Sequence, residues 1–159
     1  MKKLLYIFAA FALLCSCSDR IDVVFDTPFV SITDENGSST VMPIDAAKVD
    51  NLLTVLNVDL CISNHFFTEP VSIEYEVNAG NGLQEGRDFM IQPSTKSPLT
   101  FEPGTYRKYI RIIWLKNPEF DSEKDNTLTI SLVSSSLPEM VIGYPGPNHL
   151  KSSFTFKKQ

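Results

Sequence analysis

The residues able to do chemistry are few and scattered. Glu74 and Glu76 stand two apart in the run from Val71 to Val77, which in a strand puts both carboxylates on one face. Carboxylates about 5–5.5 Å apart are the machinery of a retaining glycosidase, but they work inside a cleft that holds the scissile bond. An open sheet face has no cleft, and cross-strand pairing with Arg107 or Arg111 accounts for the two glutamates more simply. The histidines, His65 and His149, fall in loop-like stretches without the neighbouring ligands that zinc requires. No Gly-x-Ser-x-Gly elbow, phosphate-binding glycine loop or dinucleotide fingerprint occurs. These patterns lead to the expectation of a non-catalytic protein, with a small hydrolase as a distant alternative.

The cysteines carry a different chemistry. Lys2-Lys3 precede eleven apolar residues, Leu4 to Leu14, a length that suits a secretory signal and falls short of the roughly 20 residues of a membrane-spanning helix. Leu14-Cys15-Ser16-Cys17 follows and resembles a bacterial lipobox, in which a small residue precedes the acylated cysteine. That resemblance implies lipidation of Cys17, preceded by Ser16, rather than of Cys15, preceded by bulky Leu14. Several acyl chains on one residue give stable anchoring where a single chain is marginal. Ser18-Asp19-Arg20-Ile21-Asp22 looks like the acidic tether of surface lipoproteins of Bacteroidetes, with Arg20 where a further acid is expected. The implied location is the outer membrane, lipid-anchored and facing the cell exterior, with its periplasmic side as the alternative. With Cys15 removed and Cys17 a thioether, Cys61 is left alone and is expected as a buried apolar thiol.

Residues 1–16 thus read as a lipoprotein signal peptide, 17–24 as lipidated cysteine and tether, and 25–159 as one folded domain. Loss of the signal leaves 143 residues, enough for one sandwich core, with 12 basic against 19 acidic side chains. An acidic surface argues against nucleic acid, which requires clustered Lys and Arg to displace counterions.

Alternation with period two supplies the elements that position these residues. Ile21 to Phe25 and Pro28 to Thr33 form an interrupted first strand; Leu52 to Ser63 is a long one with Leu56, Val58, Leu60 and Ile62 on its core face. Val71 to Val77, Asp88 to Gln92, Ser97 to Phe101, Leu128 to Leu132 and Ser152 to Lys157 follow the same rule. Val41 to Ile44 and Val141-Ile142 are short extended candidates, and Asp45 to Asp50 allows one helical turn. Pro103-Gly104 is a tight turn, because Pro presets φ and Gly accepts positive φ. In the strand after it, Lys108, Ile110, Ile112 and Trp114 share one face and Arg107, Tyr109, Arg111 and Ile113 the other. Seven to eight mostly antiparallel strands with almost no helix make an all-β, immunoglobulin-like two-sheet sandwich.

Gly86-x-Asp88-Phe89, Leu99-Thr100-Phe101-x-Pro103-Gly104, Ile110-x-Ile112-x-Trp114, an acidic loop and Leu128-x-Ile130-x-Leu132 together resemble the Calx-beta family of immunoglobulin-like domains. Calx-beta domains that bind calcium do so with carboxylates in that loop and at the Gly-x-Asp-Phe aspartate. The resemblance implies Asp88, Glu119, Asp121, Glu123 and Asp125 as candidate metal ligands, oxygen donors of the hard kind calcium takes. Lys116 and Asn117, however, stand where the calcium-binding members carry consecutive aspartates. The expected cofactor is therefore none, with a calcium-binding adhesion module as the alternative.

Phe66, Phe67 and Tyr144 are aromatics in loops, where binding residues concentrate and where rings stack on sugars or anchor interfaces. If Phe66 and Phe67 alternate, one plugs the end of the sandwich and the other faces out. The expected function is a lipid-anchored envelope protein acting as a binding or scaffolding module in glycan uptake or adhesion. Its partners are the membrane and a glycan or protein at the cell surface, with no nucleic acid.

Overall fold

The computed structural model describes residues 27–39, 41–62, 66–93 and 98–159. Cys17, His65 and the first half of the predicted opening strand lie outside them. Ten strands and no helix make up the described chain: β1 (Phe29–Thr33), β2 (Met42–Ile44), β3 (Leu52–Cys61), β4 (Val71–Ala79), β5 (Phe89–Gln92), β6 (Leu99–Phe101), β7 (Arg107–Trp114), β8 (Thr127–Ser135), β9 (Val141–Ile142) and β10 (Ser153–Lys158). They form two five-stranded sheets, ordered β5-β7-β3-β1-β9 and β2-β10-β8-β4-β6.

The alternating patterns decide which side of each strand faces the other sheet. Val30 and Ile32, Leu56, Val58 and Leu60, and Ile110, Ile112 and Trp114 line one inner face; Ile73 and Tyr75, Leu128 and Ile130, and Phe154 and Phe156 line the other. Burying these rows is the main driving force, since each large apolar side chain taken fully from water contributes about 1.5–3 kcal/mol. Trp114 is wholly buried; its Nε1 donates to Thr54 Oγ1 at 3.0 Å, and its ring lies between Phe89 and Phe156.

The two short extended candidates both pair, and both do so in parallel: β9 beside β1, and β2 beside β10. Each closes one edge of a sheet, which raises the strand count to ten. Residues 45–50 form a turn rather than a helical one, with Asp45 Oδ1 accepting from the Ala47 N–H. Pro103-Gly104 turns as expected, Thr105 N–H donating to Glu102 O at 2.8 Å with Gly104 at φ 84°. The turn joins β6 and β7, which belong to different sheets, so it carries the chain across the sandwich instead of making a hairpin.

Candidate functional site

The two ends of the sandwich differ in chemistry. At one end lie the β3–β4, β6–β7 and β9–β10 connections and the start of β1. At the other lie the loop before β5, the loop after β7 and the end of β10.

At the first end Phe66 is 86% exposed, whereas Phe67 is half-buried and meets Tyr106 edge-on at 5.6 Å. One ring points out and its neighbour packs against the core, as alternation along an extended segment requires. Residues 66–71 and Ser136-Leu137 line a shallow groove of about 400 Å³ with Phe66 on its rim. Thr68, Glu69 and Ser136, with hydroxyl and carboxylate side chains, line the same groove. Tyr144 is held elsewhere at the same end: it packs on Phe29 at 5.1 Å, and the Lys151 ammonium lies 4.5 Å from its ring centre and donates to its Oη. The structure thus separates Tyr144 from the Phe66 groove, and only Phe66 and Phe67 share a surface.

At the second end Asp88 is wholly buried despite its charge. A turn aims it inward: Gly86 takes φ 84°, and the Asp88 N–H donates to Gln84 O at 2.8 Å. Both carboxylate oxygens are engaged. Oδ2 accepts from the Gln84 N–H at 3.0 Å and from Arg87 Nε at 2.8 Å; Oδ1 accepts from Asn117 Nδ2 at 2.7 Å and from Lys158 Nζ at 3.5 Å. Burial pushes the Asp88 carboxyl up, but the Asn117 amide, the Arg87 guanidinium, the Gln84 N–H and the Lys158 charge outweigh it and hold the group below its ordinary value.

The other candidate metal ligands do not gather around it. Glu119, Asp121, Glu123 and Asp125 are exposed. Asp121 Oδ1 accepts from the Glu123 N–H, and Asp125 Oδ1 accepts from the Thr127 N–H and hydroxyl, so these carboxylates fold their own loop. Among the described residues no three His, Cys, Asp or Glu are placed to hold a metal ion. One buried oxygen there, Asn126 Oδ1, has no hydrogen-bond partner, but it abuts Gly82, where a Cβ would collide with it, and no group of carboxylates, histidines or cysteines that could hold a metal joins it among the described residues. The residues present do not fit calcium. Lys116, expected from sequence to oppose the ion, is exposed, and the ammonium in place is Lys158, which sequence reasoning missed. The signal was the spacing Phe154, Phe156, Lys158, which continues one inward-facing row.

Other expectations shift as well. Glu74 and Glu76 lie on the outer face of the sheet that does not contain Arg107 and Arg111, so the proposed ion pairs do not form. Glu74 instead accepts from Ser134 Oγ at 2.7 Å, and Arg107 pairs with Asp59 on β3, its Nη2 donating to Oδ2 at 3.0 Å. Cys61 sits half-buried on the outer face of β3 rather than in the core; partial burial and the neighbouring Asp59 push its thiol up, away from the reactive thiolate. His149 is exposed in the β9–β10 loop.

The apo-form Calx CBD1 domain superimposes with a TM-score of 0.51 at 18% identity, over 82% of this chain and 98% of that domain. The chain has a Calx-beta-like fold. CBD12 from CALX1.2 is similar at a TM-score of 0.51 and 19% identity, over 80% of this chain and 43% of that one. A two-domain protein of unknown function from Bacteroides fragilis is similar at 0.50 and 12% identity, over 84% and 45%. The Calx-beta-like chain therefore spans less than half of those two longer proteins. Neither a family model nor a curated protein matches it.

Proposed function

We propose that the chain is a lipid-anchored, non-catalytic recognition module of the cell envelope that binds a partner through the Phe66 end of its sandwich. The observation that carries this reading is Phe66, a large ring left 86% exposed on the rim of a groove when its neighbour Phe67 is packed away. An exposed aromatic on a groove lined by hydroxyl and carboxylate side chains suits a sugar ring or a protein side chain, which offers an apolar face and polar edges. The carboxylates that invited a catalytic reading stand on an open sheet face, with Glu74 engaged by Ser134.

The tether favours a partner close to the membrane. β1 begins at Phe29 beside Cys61, at the same end as Phe66. Nine residues, Ser18 to Asp26, separate the acylation motif from the described chain, and even fully extended they reach about 30 Å. The Phe66 end is thus kept near the outer-membrane surface, where an adhesion complex or a glycan-uptake system would present a glycan or protein segment. A photo-crosslinking phenylalanine analogue at position 66 in cells should give a discrete adduct, and the same analogue at Tyr109 should not. Adducts at position 109 and none at 66 would move the binding surface to the sheet face and end this reading.

A further inference from the structure

Lys158 is 1% exposed, and its ammonium enters the interior between the two sheets. A buried ammonium is tolerated only with partners, and Lys158 has them from several segments. Its Nζ donates to Leu115 O at 3.0 Å just past β7, lies 3.5 Å from Asp88 Oδ1 before β5, and stands 5.5 Å from the Phe120 ring centre in the acidic loop. Its backbone N–H donates to Asn126 O at the entry to β8, and Gln159 N–H donates to Ile44 O beyond it. The ammonium therefore meets the turn before β5, the end of β7 and the acidic loop, while the backbone of β10 joins them to β8 and β2.

We infer that the Lys158 ammonium is the resident cation of this end of the domain, a fixed charge supplied by β10 where a divalent ion would otherwise cross-link the loops. Calcium takes six to eight oxygens, and here the two of Asp88 are already shared among Asn117, Gln84, Arg87 and Lys158. A doubly charged ion at that carboxylate would sit beside an ammonium and a guanidinium, and like charges at such range in a poorly solvated site repel strongly. The same residue explains why the acidic loop carboxylates are free to turn outward: the charge they would have neutralised is met by Asp88 alone. Recognition at the opposite, aromatic end then proceeds without divalent ions, and this inference stands whether or not Phe66 is the binding residue.

The test is thermal unfolding of the full chain, wild type, Asp88→Asn, Lys158→Met and the double variant, each in millimolar calcium and in chelator. The wild-type Tm should be the same in both media, whereas a filled site would raise it by several degrees. Asp88→Asn leaves the buried Lys158 ammonium without a carboxylate and should lower the Tm by about 10 °C; Lys158→Met leaves Asp88 with Arg87 as its remaining cation and should lower it by less. The double variant keeps neither buried charge, and the Arg87 it deprives of a partner is half-exposed to water, so its loss in Tm should be well below the sum of the two single losses. A chelator-reversible rise in the wild-type Tm, or losses that simply add, would overturn the inference. The wild-type calcium comparison decides the question even if Lys158→Met fails to fold.

Discussion

The indole of Trp114 meets the ring of Phe156 edge-on at 5.4 Å, joining β7 of one sheet to β10 of the other. Edge-to-face aromatic contact adds to the burial of both rings, so this pair fixes the sheets at the end that also holds Asp88 and Lys158. Trp114→Ala should cost about 3–5 kcal/mol, the range for deleting a large buried aromatic. Tyr109→Ala and Arg111→Ala, which remove exposed groups from the opposite face of the same strand, should each cost about 1 kcal/mol or less. Urea titration measures each variant against the wild type, by the emission of Trp114 for Tyr109→Ala and Arg111→Ala and by circular dichroism for Trp114→Ala, which lacks the only tryptophan. A reversed order would mean that the faces of β7 are exchanged.

Phe66 and Phe67 should separate stability from binding. Phe66→Ala removes a ring that water already surrounds and should change unfolding free energy by about 0.5 kcal/mol or less. Phe67→Ala breaks the contact with Tyr106 and should cost about 1–2 kcal/mol. Failure of Phe66→Ala to retain the partner that the position-66 crosslink identifies, measured by co-purification with its melt unchanged, is the expected pattern; a destabilised Phe66→Ala would show that the ring packs.

For the anchor, Ser16 before Cys17 sets the expectation. Cells fed a clickable fatty acid should label the wild-type chain and Cys15→Ala alike and leave Cys17→Ala unlabelled and unprocessed. Label retained on Cys17→Ala would remove the lipid anchor from the proposed function.

Tyr75 carries a pH dependence. Its hydroxyl donates to Pro93 O at 2.6 Å, and burial, with a smaller push from Glu85, raises the phenol to about 12 from an ordinary value near 10. The fold prefers the protonated phenol, so its contribution is complete below pH 10 and is lost as pH rises through the folded-state value. Tyr75→Phe should cost about 1 kcal/mol at neutral pH, the worth of one hydrogen bond. It should also flatten the alkaline fall in stability between about pH 10 and 12. Denaturant midpoints of both proteins across that range give the answer, and identical alkaline profiles would show that Tyr75 does not titrate as placed.

The sequence by itself determined the strands and their inward faces, because side chains alternate along a strand and apolar residues must leave water. Ile110, Ile112 and Trp114 belong to the core, and Tyr109 and Arg111 to the outside, by this rule alone; the rule also requires one of Phe66 and Phe67 to face out, but only the tertiary structure decided that it is Phe66. Pro103-Gly104 declared its turn through the backbone preferences of two residues. Partnership across the chain was decided only by the tertiary structure. Glu74 and Arg107 lie on different sheets because the Pro103-Gly104 turn crosses the sandwich, which no local pattern states. β2 and β9 are too short to hold themselves extended and became strands only as parallel edges beside β10 and β1. Lys158 reads locally as a charged residue near a chain end, destined for water. It is buried because the row of Phe154 and Phe156 aims it inward and because Asp88, seventy residues earlier, is folded to meet it.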